Sequence, residues 1–287
     1  MREMTPLGLR VFVSVMLSAA IAIRALRRKS LDCSAAIIGF IVMSIHLATS
    51  YRFGALLLVF FFTSSLLTKL GEEKKRSIDA DFKEGGQRNW VQVLANSGIA
   101  SALVLFVGHL TGWEEPTLSS EGSPLVKCLI GGIIGHYACC NGDTWSSEVG
   151  MLSESQPRLI TTFKSVPKGT NGAVTTTGLL AAAAAGCVIG LTYLLVGFFT
   201  GDYRGLKPLL VIPLSLLAGV FGSLIDSVLG ATVQYSGICQ VRKKVVGKKG
   251  PTVKRISGSA ILDNNGVNFV SVVLTTFVTA ILFLYVF

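Results

Sequence analysis

The sequence predicts an all-α integral membrane protein, a polytopic helical bundle of about eight transmembrane helices in a single domain over residues 1–287. Two features of the composition favour this fold class. Hydrophobic residues make up 51% of the chain, whereas charged residues make up only 15%, and the mean hydropathy is +0.61. Soluble proteins carry roughly 25% charged residues. The third observation is a series of apolar runs of about 20 residues, the length that crosses a hydrocarbon core roughly 30 Å thick.

Eight apolar runs define the predicted spans, and one boundary between them is ambiguous. The first run precedes its basic cluster, Arg24–Lys29, and a signal peptide has the opposite order, so we predict a retained first helix. Only Tyr51 and Arg52 separate the second run from the short third run, and a single re-entrant element is the alternative there. The predicted spans are residues 6–24, 31–49, 53–68, 90–110, 123–142, 173–199, 206–235 and 264–287.

The net charge of +10 is distributed unevenly along the chain. With eight spans, most of the 26 lysines and arginines fall on one face of the membrane, in the loops after spans 1, 3, 5 and 7. Basic residues gather on the cytoplasmic side of membrane proteins, so both termini are expected on the non-cytoplasmic side. The basic excess therefore reflects topology and attraction to membrane lipid, and we expect no nucleic-acid partner.

Three polar loops, residues 69–89, 141–172 and 236–263, are expected on the basic face. In 141–172 the acids come first, with Asp143 and Glu148 at the exit of span 5. Carboxylates of this kind are the hard oxygen ligands that suit Mg²⁺. The basic residues come last, and the turn from Lys168 to Gly172 before span 6 offers backbone N–H groups and a helix N-terminus to an anion. The alternative is a solvated loop whose charges only keep it soluble.

Asp226 is the most informative residue inside a predicted span. A carboxylate there costs at least about 2.5–3.5 kcal/mol on insertion scales, so it should face the bundle interior or a cavity. Gly219, Gly222 and Gly230 share its helical face, and we expect this face to leave room for a bulky ligand. The alternative is an aspartate that hydrogen-bonds to Asn or Ser on a neighbouring helix. The topology places Asp143, Asp226 and the start of span 8 at one membrane level, around one shared pocket.

Several common site motifs are absent from the sequence. It contains neither GxxxxGK[ST] nor GxGxxG, which excludes a P-loop or Rossmann nucleotide site at this level. The six cysteines include no CxxC pair, so buried, inert thiols are expected rather than a zinc site.

Four segments carry a resemblance to a known family: NGDTWSSEVG, PRLITTFKSVPKGTNGAVT, GSLIDSVLGA and LDNNGVNF. Together they resemble the integral membrane family of domain of unknown function 92 (DUF92), which includes transmembrane protein 19 and a plant plasma-membrane glucose-responsive regulator. The segment KRSIDADFKEGGQRNWVQVLANSG is similar to the regulator branch. The family also includes a plastid phytyl-phosphate kinase, and Gly142–Glu148 resembles the GDT element of CTP-dependent phytol and dolichol kinases.

The resemblance and the residues together predict a membrane-embedded, Mg²⁺-dependent phosphotransferase. It would transfer a phosphoryl group from a nucleoside triphosphate, CTP or ATP, to an isoprenoid phosphate. The expected catalytic and metal-binding residues are Asp143, Glu148 and Asp226. The residues expected to bind nucleotide phosphates or polar head groups are Arg158, Lys164, Lys168, Gly169, Asn171, Gly172, Asn264 and Asn268.

Two other functions remain open at this stage. One is a non-enzymatic membrane regulator of glucose response, and the other is a transporter with Asp226 as its intramembrane carboxylate. The expected location is the plasma membrane or an endomembrane, because the sequence shows no cleavable plastid transit peptide. The oligomeric state is not predicted.

Overall fold

The computed structural model describes residues 7–78, 80, 86–118, 122–200 and 206–287. Within these ranges the chain is mostly helical. The helices are α1 (Leu7–Arg27), α2 (Cys33–Thr49), α3 (Tyr51–Lys69), α4 (Glu72–Ile78), α5 (Trp90–Ala95), α6 (Gly98–Leu110), α7 (Pro124–Leu152), α8 (Thr176–Phe199), α9 (Val211–Thr232) and α10 (Asn264–Val286). The strands are β1 (Arg158–Leu159), β2 (Ala173–Val174), β3 (Ser236–Cys239), β4 (Val245–Val246) and β5 (Val253–Ser257).

The prediction of a helical membrane protein is confirmed in its coarse form. Among the described residues, five helices are long and apolar enough to cross a membrane: α1, α3, α8, α10, and α9 with the 3₁₀ turn before it at Lys207–Leu210. The apolar helices α2 and α6 are shorter. The count of eight spans and the side on which the termini lie therefore remain predictions.

The ambiguous boundary between the second and third runs is a break between two helices. Ser50 is extended, with φ −158° and ψ 133°, and it ends α2 and begins α3. Its side-chain oxygen accepts a hydrogen bond from the backbone N–H of Arg52 at 3.1 Å. A serine N-cap of this kind satisfies one of the free donors at a helix start. The two runs are therefore two separate helices, and whether the pair spans or re-enters the membrane stays a prediction.

The predicted span 90–110 is also broken, into α5 and α6, at Asn96 and Ser97. The Asn96 carbonyl oxygen bonds to Nε2 of the buried His136, at 2.9 Å. A polar side chain from a neighbouring helix thus satisfies a backbone carbonyl at the interruption, as an apolar environment requires.

α7 is the central helix of the bundle and packs against α3, α6, α8, α9 and α10. Its residues from Ile130 to Gly142 are all buried. Glycines allow the close contacts: a Cβ on Gly142 would lie 2.6 Å from the carbonyl oxygen of Gly219 on α9. Small residues at helix contacts let the backbones approach in this way.

The three predicted loops contain regular structure, which corrects the all-α prediction and the loop boundaries. Loop 69–89 contains α4, with residues 79 and 81–85 outside the described part. Segment 141–172 is helical as far as Leu152, and later its strand β1 pairs with β2. Segment 236–263 contains an antiparallel three-stranded sheet in the order β4-β3-β5.

Candidate functional site

A cavity of about 1000 Å³ lies where the polar segments meet the ends of the helices. Its walls come from α1, α2, α3, α5, α7, α9 and α10, from the turn before β2, from β4, and from the segments that join the three-stranded sheet to α9 and α10. The expected shared pocket is therefore present. The predicted residues that line it are Asp143, Glu148, Asp226, Lys168, Gly169, Asn171, Gly172, Asn264 and Asn268.

Asp143 on α7 and Asp226 on α9 form the centre of the polar part. Their carboxyl groups are neighbours and interact electrostatically. The Oγ of Ser271 on α10 donates to Oδ2 of Asp226 at 3.3 Å. The close approach of α7 and α9 at Gly142 and Gly219 brings the two aspartates together. Two carboxylates this close repel each other unless a proton or a cation lies between them.

The glycine face of α9 does not leave room for a ligand, and that expectation is wrong. A Cβ on Gly219 would lie 2.8 Å from the carbonyl oxygen of Ala182 on α8, and Gly222 packs against Cys139 on α7. A Cβ on Gly230 would lie 2.8 Å from the backbone nitrogen of Gly172. These glycines allow helices and a loop to pack against α9, so a lipid tail has no space along this face.

Glu148 is paired with a lysine, a contact that the sequence analysis did not anticipate. Lys75 Nζ lies 2.6 Å from Oε2 of Glu148, and the Lys75 side chain is completely buried. Lys75 also donates to the carbonyl oxygens of Leu67 at 2.6 Å and Thr68 at 3.1 Å, near the end of α3. Asp226 is therefore the carboxyl that neighbours Asp143, and the charge of Glu148 is neutralised by Lys75. The role of Glu148 as a metal ligand stays a prediction.

Among the described residues, no group of three or more His, Cys, Asp and Glu side chains could hold a metal. A zinc-type site built from protein ligands alone is therefore not found in that part of the chain. Magnesium differs, because it commonly takes one or two carboxylates and completes its shell with water and phosphate oxygens. The pair of Asp143 and Asp226 fits this second pattern.

The turn before β2, which the sequence predicts to bind an anion, lines the cavity. Gly169 and Gly172 have φ of +82° and +75°, a backbone region that glycine adopts without strain. The backbone N–H of Asn171 donates to Oγ of Ser236 at 2.9 Å, and its Nδ2 donates to the Tyr235 carbonyl oxygen at 3.0 Å. Asn171 therefore holds the turn against β3 and does not have its N–H free for a phosphate. Lys168 lines the cavity while its ammonium group donates to the Ser153 carbonyl oxygen.

Arg158 and Lys164 lie outside the described walls of the cavity, which corrects their predicted place beside the phosphates. Both side chains are exposed. Arg158 Nη1 donates to the carbonyl oxygen of Phe163 at 2.9 Å, within the segment between β1 and β2. Arg158 and Lys164 are close to Lys168 in the sequence. Their side chains are nevertheless exposed and do not line the cavity.

Arg88 takes the place on the cavity wall that these bases were expected to occupy. Its Nη1 donates to Oγ of Ser65 at 2.9 Å, and its guanidinium lies 5.8 Å from the ring centre of Phe61. Burial lowers the pKa of Arg88, and the nearby Glu148 carboxylate opposes that shift. The unusual sequence EGGQRNW was a signal for this position, whereas nothing in the sequence pointed to Ser271 or Lys75.

A model of the integral membrane protein family DUF92 matches residues 16–276. The chain belongs to this family. It is 65% identical over 281 residues to Protein PGR of Arabidopsis thaliana, covering 97% of this chain and 98% of that protein. An uncharacterized membrane protein of Methanocaldococcus jannaschii is 32% identical over 235 residues, covering 80% and 86% of the two chains. An uncharacterized membrane protein of Synechocystis is 30% identical over 187 residues, which cover 65% of this chain and 65% of that protein. No solved structure matches the fold.

Family membership confirms the resemblance, and the fold shows where the residues that carry it lie. Each of the four segments contributes to the cavity of this DUF92 protein: Asp143 from the first, Lys168 from the second, Asp226 from the third and Asn264 from the fourth. Segments far apart in the sequence thus meet at one site.

Proposed function

We propose that this DUF92 protein is a membrane-embedded phosphotransferase that moves the γ-phosphoryl group of CTP or ATP to an isoprenoid phosphate. One observation carries the proposal: the neighbouring carboxyls of Asp143 and Asp226 line a cavity that also contains Arg88, Lys168 and a glycine turn. Acidic groups for a metal and basic groups for phosphates are the two parts that phosphoryl transfer requires.

Asp143 and Asp226 are the residues that would hold Mg²⁺. Their adjacent carboxyls fit a cation that takes one or two carboxylates together with substrate phosphates. Bound there, Mg²⁺ would neutralise negative charge on the transferring phosphoryl group and its leaving group.

The chain's own residues would position the two phosphates and compensate their charge. Arg88 offers fixed N–H donors suited to phosphate oxygens, and Lys168 offers a point charge. Ser271 donates to Asp226 and so fixes the orientation of that carboxyl. A terminal oxygen of the acceptor phosphate forms the new bond to the γ-phosphorus, and the bond to the β–γ bridging oxygen breaks, releasing the nucleoside diphosphate. The acceptor oxygen is already anionic, so positioning rather than proton removal is the task of the site.

Transfer of label from CTP or ATP tests the proposal. Purified protein in lipid nanodiscs receives farnesyl, geranylgeranyl or phytyl phosphate, with Mg²⁺ or with EDTA. We expect Mg²⁺-dependent transfer, and at least about a 100-fold loss in Asp143→Asn, because one transition-state interaction is worth about that much. Glu114→Gln, a carboxyl-to-amide change at an exposed residue between α6 and α7, is the matched control and should retain activity. Absence of transfer with every nucleotide and acceptor would contradict the proposal.

A non-enzymatic regulator of sugar response is the second candidate. Two internal contacts favour it: Glu148 is paired with Lys75, and the Lys168 ammonium is bonded to the Ser153 carbonyl oxygen. On this alternative, Asp143→Asn would restore the growth response to glucose in cells that lack the protein. On the enzymatic proposal, the same variant is made at normal levels and fails to restore it.

A further inference from the structure

The cavity has a second, apolar part that extends away from the carboxyl pair. We call it the apolar arm, and its wall is formed by Ala22 of α1, Val42 and Met43 of α2, and Leu57, Phe60 and Phe61 of α3. We infer that the apolar arm binds the hydrocarbon chain of the lipid phosphate and selects its length. The inference rests on the proposed function for the identity of the head group.

The arm extends along α2 towards a buried polar pair. Because an α-helix rises about 1.5 Å per residue, Met43 lies roughly 15 Å from the start of α2 at Cys33. The next layer is a fully buried pair in which Tyr137 Oη lies 2.7 Å from Nε2 of His46. Phe60, on the arm wall, packs on the Tyr137 ring with 6.1 Å between centres. A chain that enters from the polar end therefore meets this buried pair beyond Met43 and Phe60.

The two ends of the cavity match the two ends of a lipid phosphate. The carboxyl pair, Arg88 and Lys168 lie at one end, and aliphatic and aromatic side chains lie at the other. Each methylene group buried in such an arm gains about 0.8 kcal/mol. Since α8, α7 and the turn at Gly172 fill the glycine face of α9, the arm between α1, α2 and α3 is the apolar space that adjoins the carboxyl pair within the described residues.

Gly39 controls the width of the arm. It lies on α2 in the cavity wall, and a Cβ built there would meet only Leu31 Cδ1, at an ordinary 3.5 Å. A larger side chain at this position would extend into open space without striking backbone. Leucine is also a better helix former than glycine by up to about 1 kcal/mol, so Gly39→Leu should fold.

Gly39→Leu tests the arm with a series of acceptors of increasing length. We expect kcat/KM for geranylgeranyl phosphate to fall at least about tenfold, and that for the shorter geranyl phosphate to change little, since one misfitted methylene group alone is worth about tenfold. Gly8→Leu on α1 is the matched control, because a Cβ there meets nothing within 4 Å and the residue is exposed. An equal loss for both acceptors would contradict the inference.

Photocrosslinking separates failure of the arm from failure of the proposed function. A prenyl phosphate with a diazirine at the end of its chain is irradiated with the protein, and adducts are located by mass spectrometry. We expect adducts on α2 and α3 near Met43 and Phe60, reduced in Gly39→Leu and unchanged in Gly8→Leu. Adducts on α8 or α9, or no specific adducts, would overturn the arm whatever the activity. Arm adducts without phosphoryl transfer would retain the arm and reject the kinase.

Discussion

The contact between Asp143 and Asp226 is destabilising unless something compensates its charge. Two carboxyls in a partly enclosed site repel each other when both are ionised. The chain nevertheless brings them together through the glycine contact of α7 and α9 and orients Asp226 with Ser271. Cation-binding sites commonly contain carboxylates that repel each other when no cation is bound. Replacing one of them removes the repulsion and so does not lower stability, but it lowers function. Stability and activity are therefore expected to move in opposite directions here.

Asp143→Asn tests this expectation by thermal unfolding in detergent. Without divalent cations the variant should unfold at the same temperature as the wild type or higher, since the like-charge contact is gone. At 100 times its Kd, Mg²⁺ should stabilise the wild type by about 2.7 kcal/mol and the variant by much less. A variant that is destabilised, or that responds to Mg²⁺ as the wild type does, would mean that the two carboxyls have a structural role alone.

The sequence predicted these residues to different degrees, for physical reasons. Asp226 is costly inside an apolar span, and Asp143 was predicted from its place where span 5 meets the polar loop, so each one was visible from its surroundings alone. Glu148 and Lys168 were visible as charges, but their partners Lys75 and Ser153 depend on tertiary packing. Ser271 was not visible, because a serine in a membrane helix usually bonds to its own backbone.

At the scale of elements, the short helix α4 connects α3 to α7 through one buried ammonium group. Lys75 is bound by Glu148 of α7 and by carbonyl oxygens near the end of α3. Removing one member of a buried pair is far more costly than removing both, because the remaining charge has lost its partner.

Lys75→Met should therefore lower the free energy of unfolding by about 3–5 kcal/mol. The double variant Lys75→Met with Glu148→Gln should recover a large part of that loss, and chemical denaturation of the four proteins gives the coupling. Additive losses would show that Glu148 and Lys75 do not stabilise each other.

The turn at Gly172 makes a second prediction about an element. A Cβ on Gly172 would clash with the backbone nitrogen of Ala231 and the carbonyl oxygen of Ser227, and φ is +75°. Gly172→Ala should therefore displace the turn from α9 and abolish activity. Gly98→Ala at the start of α6 is the matched control, since its Cβ would meet nothing within 4 Å and the residue does not line the cavity. Equal activity in the two variants would contradict a role for this turn.

Hydropathy predicted the bounds of continuous apolar helices well. It failed where a helix has polar turns or is interrupted by a polar contact. α8 and α10 begin and end within a few residues of the predicted spans. The extension of α7 to Leu152 was missed because its last turns are polar. The break at Asn96 was missed because the carbonyl that it frees is satisfied by His136, forty residues later.

At the scale of the whole molecule, the order of the spans predicted which polar groups would meet. Successive spans cross the membrane in opposite directions, so the polar end of one span lies on the same membrane face as the start of the next. The cavity between these polar ends was therefore predictable from the sequence. The position of the lipid chain was not, because it depends on which helix faces are filled by neighbours. Glycines indicated space in the sequence and proved to be contact points.

The predicted sidedness places the cavity mouth and the exposed Lys248 on the cytoplasmic face, in the plasma membrane or an endomembrane. In cells, Lys248→Cys should react with an impermeant maleimide only after the membrane is permeabilised. Tags at either terminus should be accessible from the opposite side. Labelling of Lys248→Cys in sealed cells, with both tags protected, would contradict the positive-inside topology.

Anomalous diffraction from crystals grown with Mn²⁺ and a non-hydrolysable nucleoside triphosphate shows whether the carboxyl pair holds a metal. We expect an anomalous peak within ligand distance of Asp143 and Asp226, with phosphate density towards Arg88 and Lys168. A peak elsewhere, or an ordered nucleotide with no metal between the two carboxyls, would contradict this expectation.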